Sequence, residues 1–144
     1  MKVLAIIPAR KGSKGLKDKN IQMLNGHPLI SYSIVAAVKA KKINKIICST
    51  DSKKIALIAR RYGAETPFIR PSKYAKDLST DLEVFTHCLK WLKKTENYTP
   101  DLIVHLRPTS PIRFLKDIDK GLKIILKNKS IDSVRSVSDP FTTP

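Results

Sequence analysis

The sequence has few cysteines, few aromatic residues and no long apolar run. Its two cysteines, Cys48 and Cys88, lie in separate apolar stretches, so we expect small buried thiols in a reducing compartment rather than a disulfide framework. No run approaches the roughly 18 apolar residues of a membrane span, and the first residues lack the length and cleavage site of a signal peptide. The sequence therefore predicts a cytoplasmic protein without membrane association.

Acidic residues are also scarce. The chain has 28 Lys and Arg against 12 Asp and Glu, a formal net charge of +16, which is typical of proteins that bind polyanions. The lysines, however, are spread along the whole chain, and aromatic residues make up only 6%, too few for a base-stacking surface. Solvated lysine faces explain the charge better than nucleic acid does. A basic, non-enzymatic module that binds nucleic acid or another polyanion remains the alternative outside the enzymes.

Short apolar runs rich in β-branched residues alternate with amphipathic helical patterns. With 144 residues the chain has the length of a single domain. Strands are predicted at 3–7, 45–48, 102–106 and 131–137, with 66–69 as a candidate fifth strand. Helices are predicted from Pro28 to Val38, from Lys53 to Tyr62 with Ser52 or Asp51 as cap, from a capping box at 80–83, and over 118–126. This alternation predicts an α/β fold of three layers, a mainly parallel sheet with helices on both faces, and ligands then bind where the strands end.

A glycine-containing basic loop follows the first predicted strand. The stretch AIIPARKGSKGLKDKN begins as that strand and continues through Gly12 and Gly15 among several basic side chains. Backbone N–H groups in such a turn can approach phosphate closely, and Lys and Arg neutralise the phosphate charge. The spacing matches neither the dinucleotide fingerprint nor the P-loop. The loop predicts a polyphosphate site, with an exposed basic turn that binds nothing as the alternative.

Four phrases of the sequence occur together in the order found in one enzyme family. They are IIPARKGSKGLKDKN, STD after the second strand, FIRPSKYAKDLSTD before the third helix, and LRPTSPIR after the third core strand. With these phrases the chain resembles the acylneuraminate cytidylyltransferases (CMP-sialic acid synthetases), including relatives that act on legionaminic and pseudaminic acids. The resemblance implies a Rossmann-like nucleotidyltransferase, dimeric when full length. Its activity would be transfer of CMP from CTP to a nine-carbon sugar acid for surface glycan biosynthesis, with release of pyrophosphate and help from Mg²⁺.

The resemblance also implies roles for particular residues. Arg10 and Lys19 are expected to neutralise the phosphates, which makes them the expected catalytic residues. The expected nucleotide contacts are Arg10, Gly12, Ser13, Lys14, Gly15, Lys19, Asn20, Arg70, Asp77, Ser79 and Thr80. The expected sugar-acid contacts are Arg107, Thr109 and Ser110. Plainer explanations stay open for some of them, because Thr80 can be a helix cap and Thr109 and Ser110 can cap backbone groups in a proline-fixed turn.

The chain departs from the family pattern at two positions. Asp81 stands where the family commonly has a serine, which bears on the base and ribose contacts there. Arg107 stands where many members have glutamine. A cation at this position can face the acceptor's carboxylate or a phosphate, so it bears on which sugar acid is used.

The sequence identifies no metal ligands, and it ends abruptly. No His, Cys or carboxylate cluster has the spacing of a metal site, and Asp51 is better explained as a helix cap. The final phrase SVRSVSDPFTTP ends just after a predicted strand, without a closing helix. We therefore expect residues 1–144 to be the N-terminal, nucleotide-binding part of a single cytidylyltransferase domain, truncated at its C-terminus, with Mg²⁺ ligands mainly beyond residue 144. Alone it is expected to hold nucleotide weakly and to fail in catalysis. A nucleotidyltransferase that uses another NTP and sugar is the alternative within this class.

Overall fold

The structure, a computed structural model, describes residues 1–13 and 15–137. The strands are β1 (Val3–Pro8), β2 (Met23–Leu24), β3 (His27–Pro28), β4 (Lys45–Ser49) and β5 (Leu102–His105). The α-helices are α1 (Leu29–Lys39), α2 (Lys53–Arg61), α3 (Asp81–Glu96) and α4 (Leu115–Lys127), and short 3-10 turns occur at Lys19–Ile21 and Ser72–Tyr74. None of the helices in the described part of the chain is long and apolar enough to cross a membrane.

A parallel sheet with the order β4-β1-β5 forms the centre of the described residues. Ile6 of β1 lies opposite Ile47 on one side and His105 on the other. The side chains of residues 3–7 are fully buried, as is typical of a central strand covered on both faces. The predicted strands at 3–7, 45–48 and 102–106 and their parallel arrangement are therefore confirmed.

Helices cover both faces of this sheet. On one face Ile7 belongs to a buried cluster with Ile34 of α1 and Ile55 of α2, and Ile118 of α4 packs against that cluster. On the other face Ile6 clusters with buried side chains of α3, among them Leu92. Successive strand residues point to opposite faces, so a continuous apolar strand supplies both clusters. The predicted three-layer α/β architecture is confirmed.

Two helix starts follow the sequence signals. The Ser52 hydroxyl oxygen accepts a hydrogen bond from the Ile55 backbone N–H at the start of α2. At the start of α3 the Thr80 hydroxyl accepts from the Glu83 backbone N–H while the Glu83 carboxylate accepts from the Thr80 backbone N–H. This reciprocal pair is the predicted capping box, and Thr80 therefore acts as the helix cap.

Two predicted strands are wrong, and one hairpin was not predicted. Residues 131–137, all of them described, form no strand, and most of their side chains are exposed, which removes the burial that would favour a strand. Residues 66–69 form no strand, and the preceding Glu65 makes an isolated bridge to Ile47. The β2–β3 hairpin was missed, although Asn25 and Gly26 at its turn both have positive φ and Asn-Gly is a strong hairpin signal.

Candidate functional site

A cleft of about 410 Å³ lies where the parallel strands β1 and β5 end. Its walls are formed by the residues that follow these strands and by the segment that leads into α3. The predicted ligand contacts that line it are Arg10, Ser13, Gly15, Lys19, Asn20, Arg70, Ser79, Arg107 and Thr109. Residues from three separate phrases of the sequence thus meet in one depression at the carboxyl edge of the sheet, which is where open α/β sheets bind ligands.

Other predicted contacts lie next to the cleft rather than in its lining. Asp77 pairs with Arg10, Thr80 caps α3, and the Ser110 backbone N–H donates to the Arg107 carbonyl in a turn. Gly12 has φ 72°, a left-handed conformation that favours glycine. Lys14 lies outside the described residues.

The basic loop, residues 9–13 and 15–18, is held in place by hydrogen bonds to the side chains of Asn20 and Asp51. Asn20, which is buried, donates from Nδ2 to the Arg10 carbonyl at 3.0 Å. The Lys11 backbone N–H donates to Asp51 Oδ1 at 2.7 Å. The expectation that Asp51 caps α2 is wrong, because Ser52 makes that bond and Asp51 instead anchors the loop. The cleft therefore has a wall that is shaped before any ligand arrives.

Arg70 is the most deeply buried charged group of the cleft. Only 3% of the residue is exposed, and its backbone N–H donates to the Thr50 carbonyl at 2.7 Å. Burial lowers the pKa of the guanidinium, and the nearby Asp51 carboxylate opposes that shift. Its Nε has no hydrogen-bond partner among the described residues. A surface salt bridge, the plainer explanation for Arg70, does not fit this burial, whereas an anion in the cleft would neutralise the buried charge.

Two ion pairs lie at the cleft. Arg10 Nη1 donates to Asp77 Oδ1 at 2.6 Å, and Arg107 Nη2 donates to Asp81 Oδ2. His105 Nε2 lies 3.9 Å from Asp81 Oδ1. Burial lowers the pKa of the His105 imidazole, with Asp81 opposing the shift.

Sequence reasoning did not assign some of the lining residues. Tyr74, Lys76 and Val84 also line the cleft, and Lys76 could have been found because it lies inside the basic phrase before α3. The pairing of Asp81 with Arg107 had a signal as well, since both depart from the family pattern and carry opposite charges.

The lining is rich in cations, which suits a ligand with several negative charges. Arg10, Lys19, Arg70, Lys76 and Arg107 all line the cleft. Among residues 1–13 and 15–137, no group of three or more His, Cys, Asp or Glu side chains could hold a metal ion. What the side chains offer chemically is charge neutralisation and oriented N–H donors for phosphate or carboxylate oxygens.

Comparison with known proteins gives a consistent result. Residues 4–142 match the cytidylyltransferase family model. The chain is 39% identical over 139 residues to a CMP-N,N′-diacetyllegionaminic acid synthase of Legionella pneumophila, covering 96% of this chain and 60% of the relative. It is 37% identical over 137 residues to an N-acylneuraminate cytidylyltransferase of Escherichia coli, covering 95% of this chain and 31% of the relative.

A solved structure has the same fold. CMP:2-keto-3-deoxy-manno-octonic acid synthetase complexed with CTP superposes with a TM-score of 0.75 at 17% sequence identity, covering 91% of this chain and 50% of that one. Identity this low supports the fold alone. The chain thus spans 60% of the length of the Legionella relative and a smaller share of the other two.

Proposed function

The chain belongs to the cytidylyltransferase family, and we propose that it forms the N-terminal, nucleotide-binding part of an enzyme that transfers CMP from CTP to a nine-carbon sugar acid. The acceptor is of the sialic, legionaminic or pseudaminic type, and pyrophosphate is released. Two relatives named for CMP-legionaminic and acylneuraminate chemistry support this choice. Residues 1–144 are then one part of a single catalytic domain.

The observation that carries the proposal is the convergence of cations at the carboxyl edge of the sheet. Arg10 of the basic loop and Lys19, which follows that loop, line the cleft, and Arg70 forms part of its buried lining. In nucleotidyl transfer an acceptor oxygen forms a new bond to the α-phosphorus while the bond to the bridging oxygen breaks, and that electron pair leaves with pyrophosphate. Such a reaction depends on positioning and on neutralising the developing charge, which is the role we give to Arg10 and Lys19.

Mg²⁺ belongs to the same proposal as a partner of the triphosphate. A bound divalent ion would supply further neutralisation of phosphate charge. The described residues offer no cluster of carboxylates for it, so we assign none of them to the metal, and ligands mainly beyond residue 144 stay a prediction. We also propose that the full-length protein is a cytoplasmic homodimer.

Calorimetric titration with CTP, GTP, UTP and ATP, in Mg²⁺ at physiological salt, tests the nucleotide assignment. We expect selective CTP binding that Arg10→Ala or Lys19→Ala reduces by roughly tenfold or more, because each removes a charge-assisted contact to phosphate. Lys17→Ala is the matched control, since Lys17 is an exposed lysine of the same loop that does not line the cleft. Wild-type affinity in both cleft variants would show that the phosphates lie elsewhere.

The same titration separates the alternative functions. Tighter binding of GTP, UTP or ATP than of CTP would replace the cytidylyltransferase assignment by transfer from another nucleotide. Binding that ignores the nucleotide and falls steeply with added salt would indicate a polyanion surface, because counterion release dominates such binding.

A further inference from the structure

The ion pair between Asp81 and Arg107 joins two elements that are distant in sequence. Asp81 is the first residue of α3, and Arg107 follows β5. Arg107 Nη2 donates to Asp81 Oδ2, and both residues line the cleft. The pair therefore fixes a cation at the wall of the cleft next to Thr109, on the β5 side.

The backbone of Arg107 is held as firmly as its side chain. Its carbonyl accepts a hydrogen bond from Ser33 Oγ of α1 at 3.2 Å and another from Arg113 Nη2. Arg113 also donates from Nε to the Ser110 carbonyl, and it does not line this cleft. Arg113 therefore stabilises the turn through hydrogen bonds, and Arg107 is the arginine of that turn that lines the cleft.

The Arg107 guanidinium keeps donors for a ligand while it is paired. Its side chain is 61% exposed, and the contact with Asp81 is made through Nη2. A guanidinium carries further N–H donors in a planar fork that matches a carboxylate. An arginine that is already held by one carboxylate loses little side-chain freedom when a second acceptor binds.

Asp81 itself is held in place by its surroundings. It opens α3, where the positive end of the helix dipole favours a carboxylate, and the capping box of Thr80 and Glu83 fixes that turn. The neighbouring group on its other side is His105 at 3.9 Å. Arg107 donates a hydrogen bond to Asp81 and His105 Nε2 does not, so Arg107 is the counter-ion of Asp81.

The cations of the cleft divide into two groups by the elements that carry them. Arg10 and Lys19 come from the basic loop and its end, whereas Arg107 comes from the turn after β5. An attacking group and the leaving pyrophosphate must lie on opposite sides of the α-phosphorus. The β5 wall is therefore available to the acceptor when the basic loop holds the leaving phosphates.

We propose that Asp81 is a positioning residue that holds the Arg107 guanidinium as the receptor for the acceptor's carboxylate. The proposal rests on the proposed function, since it names the partner of one wall of the same site. Asp81 does not touch the acceptor. It restricts Arg107 to the orientation in which the unused N–H donors face the cleft.

The test compares two probes that differ in one charge, N-acetylneuraminic acid and its methyl ester. The chain is first saturated with a CTP analogue that has a methylene group between the α- and β-phosphorus, and each probe is titrated by NMR. The wild-type chain should bind the acid roughly tenfold or more tightly than the ester, because the ester loses charge-assisted hydrogen bonds. Arg107→Gln and Asp81→Asn should each bring this ratio close to one, and Asp81→Glu should restore part of it.

The ratio separates positioning from a general loss of structure, since a distorted cleft weakens both probes together. Glu65→Gln is the control: it breaks the ion pair of Glu65 with Lys45 at 2.7 Å, outside the cleft, and should leave the ratio unchanged. An unchanged ratio in Asp81→Asn, or tighter binding of the acid in that variant, overturns the proposal. Binding of the CTP analogue without any preference for the acid in the wild-type chain overturns it while the proposed function stands. Failure of the wild-type chain to bind the CTP analogue would contradict both this proposal and the proposed function.

Discussion

Replacing Arg70 by methionine should separate the contribution of this residue to ligand binding from its contribution to stability. Arg70 is 3% exposed and its Nε has no partner among the described residues. Burial lowers the pKa of its guanidinium, which means that the folded state disfavours the charge. Methionine fills a similar volume without a charge. A group that costs folding energy and remains incompletely bonded is expected to serve the ligand.

Arg70→Met is expected to change stability and CTP affinity in opposite directions. The substitution replaces an incompletely paired buried charge by an apolar side chain. The free energy of unfolding should therefore stay the same or rise by up to about 2 kcal/mol. Loss of a charge-assisted contact to phosphate should cost about 1.5–3 kcal/mol of binding free energy, or roughly 10- to 150-fold in the CTP dissociation constant. Arg70→Lys keeps the charge and loses the planar fork, so its affinity for CTP should lie between that of the wild type and that of Arg70→Met.

Thermal denaturation and CTP calorimetry on the same preparations test this prediction. Arg61→Met serves as the control, because Arg61 is an exposed arginine at the end of α2 and should leave affinity unchanged. A variant Arg70→Met that is clearly less stable yet binds CTP as the wild type does would show that Arg70 is structural.

Three further predictions concern α3, β5 and the thiols. Thr80→Ala should lower the free energy of unfolding by about 1 kcal/mol through loss of the helix cap, and Thr80→Ser should not, as chemical denaturation would show. His105 has a lowered pKa in the folded state, so the unfolded chain takes up the proton first and stability falls as the pH drops below about 6.5. His105→Gln should therefore lose less stability on acidification, measured as the denaturation midpoint against pH. Burial raises the pKa of Cys48 and Cys88 to about 12, so neither thiol should react with a disulfide reagent until the protein unfolds.

The parts of the fold that could be predicted are those with local causes. The apolar run of β1 is buried on both faces. A short continuous apolar run of this kind is typical of a central strand in a parallel sheet that helices cover on both faces. The start of α3 was predictable because the capping box lies within four consecutive residues, Thr80 to Glu83. The end of α2 was predictable too, because Gly63 adopts φ 103° and glycine in such a conformation commonly ends a helix.

Other features depend on neighbours that are distant in sequence. The apolar residues at 131–137 read as a strand, but a strand requires a partner, and the described residues place none beside them. Asp51 was a plausible cap from its position alone. The structure uses it to hold Lys11, a contact across 40 positions that no local pattern reveals. Outside the basic loop, which its glycines and cations already indicated, the residues expected to bind ligand could be identified only through the family resemblance, and their roles stay predictions.

Under the proposed function, the two ion pairs of the cleft account for selection of a small ligand by a chain with a net charge of +16. Asp77 and Asp81 reduce the local positive charge at Arg10 and Arg107, yet each guanidinium has more donors than one carboxylate uses. Recognition then depends on the direction of the remaining N–H groups more than on the total charge. Binding of CTP should consequently lose less affinity with added salt than binding of a nucleic acid to the lysine-rich surface, because fewer counterions are released. The charge of the chain as a whole and the specificity of its cleft therefore have separate physical origins.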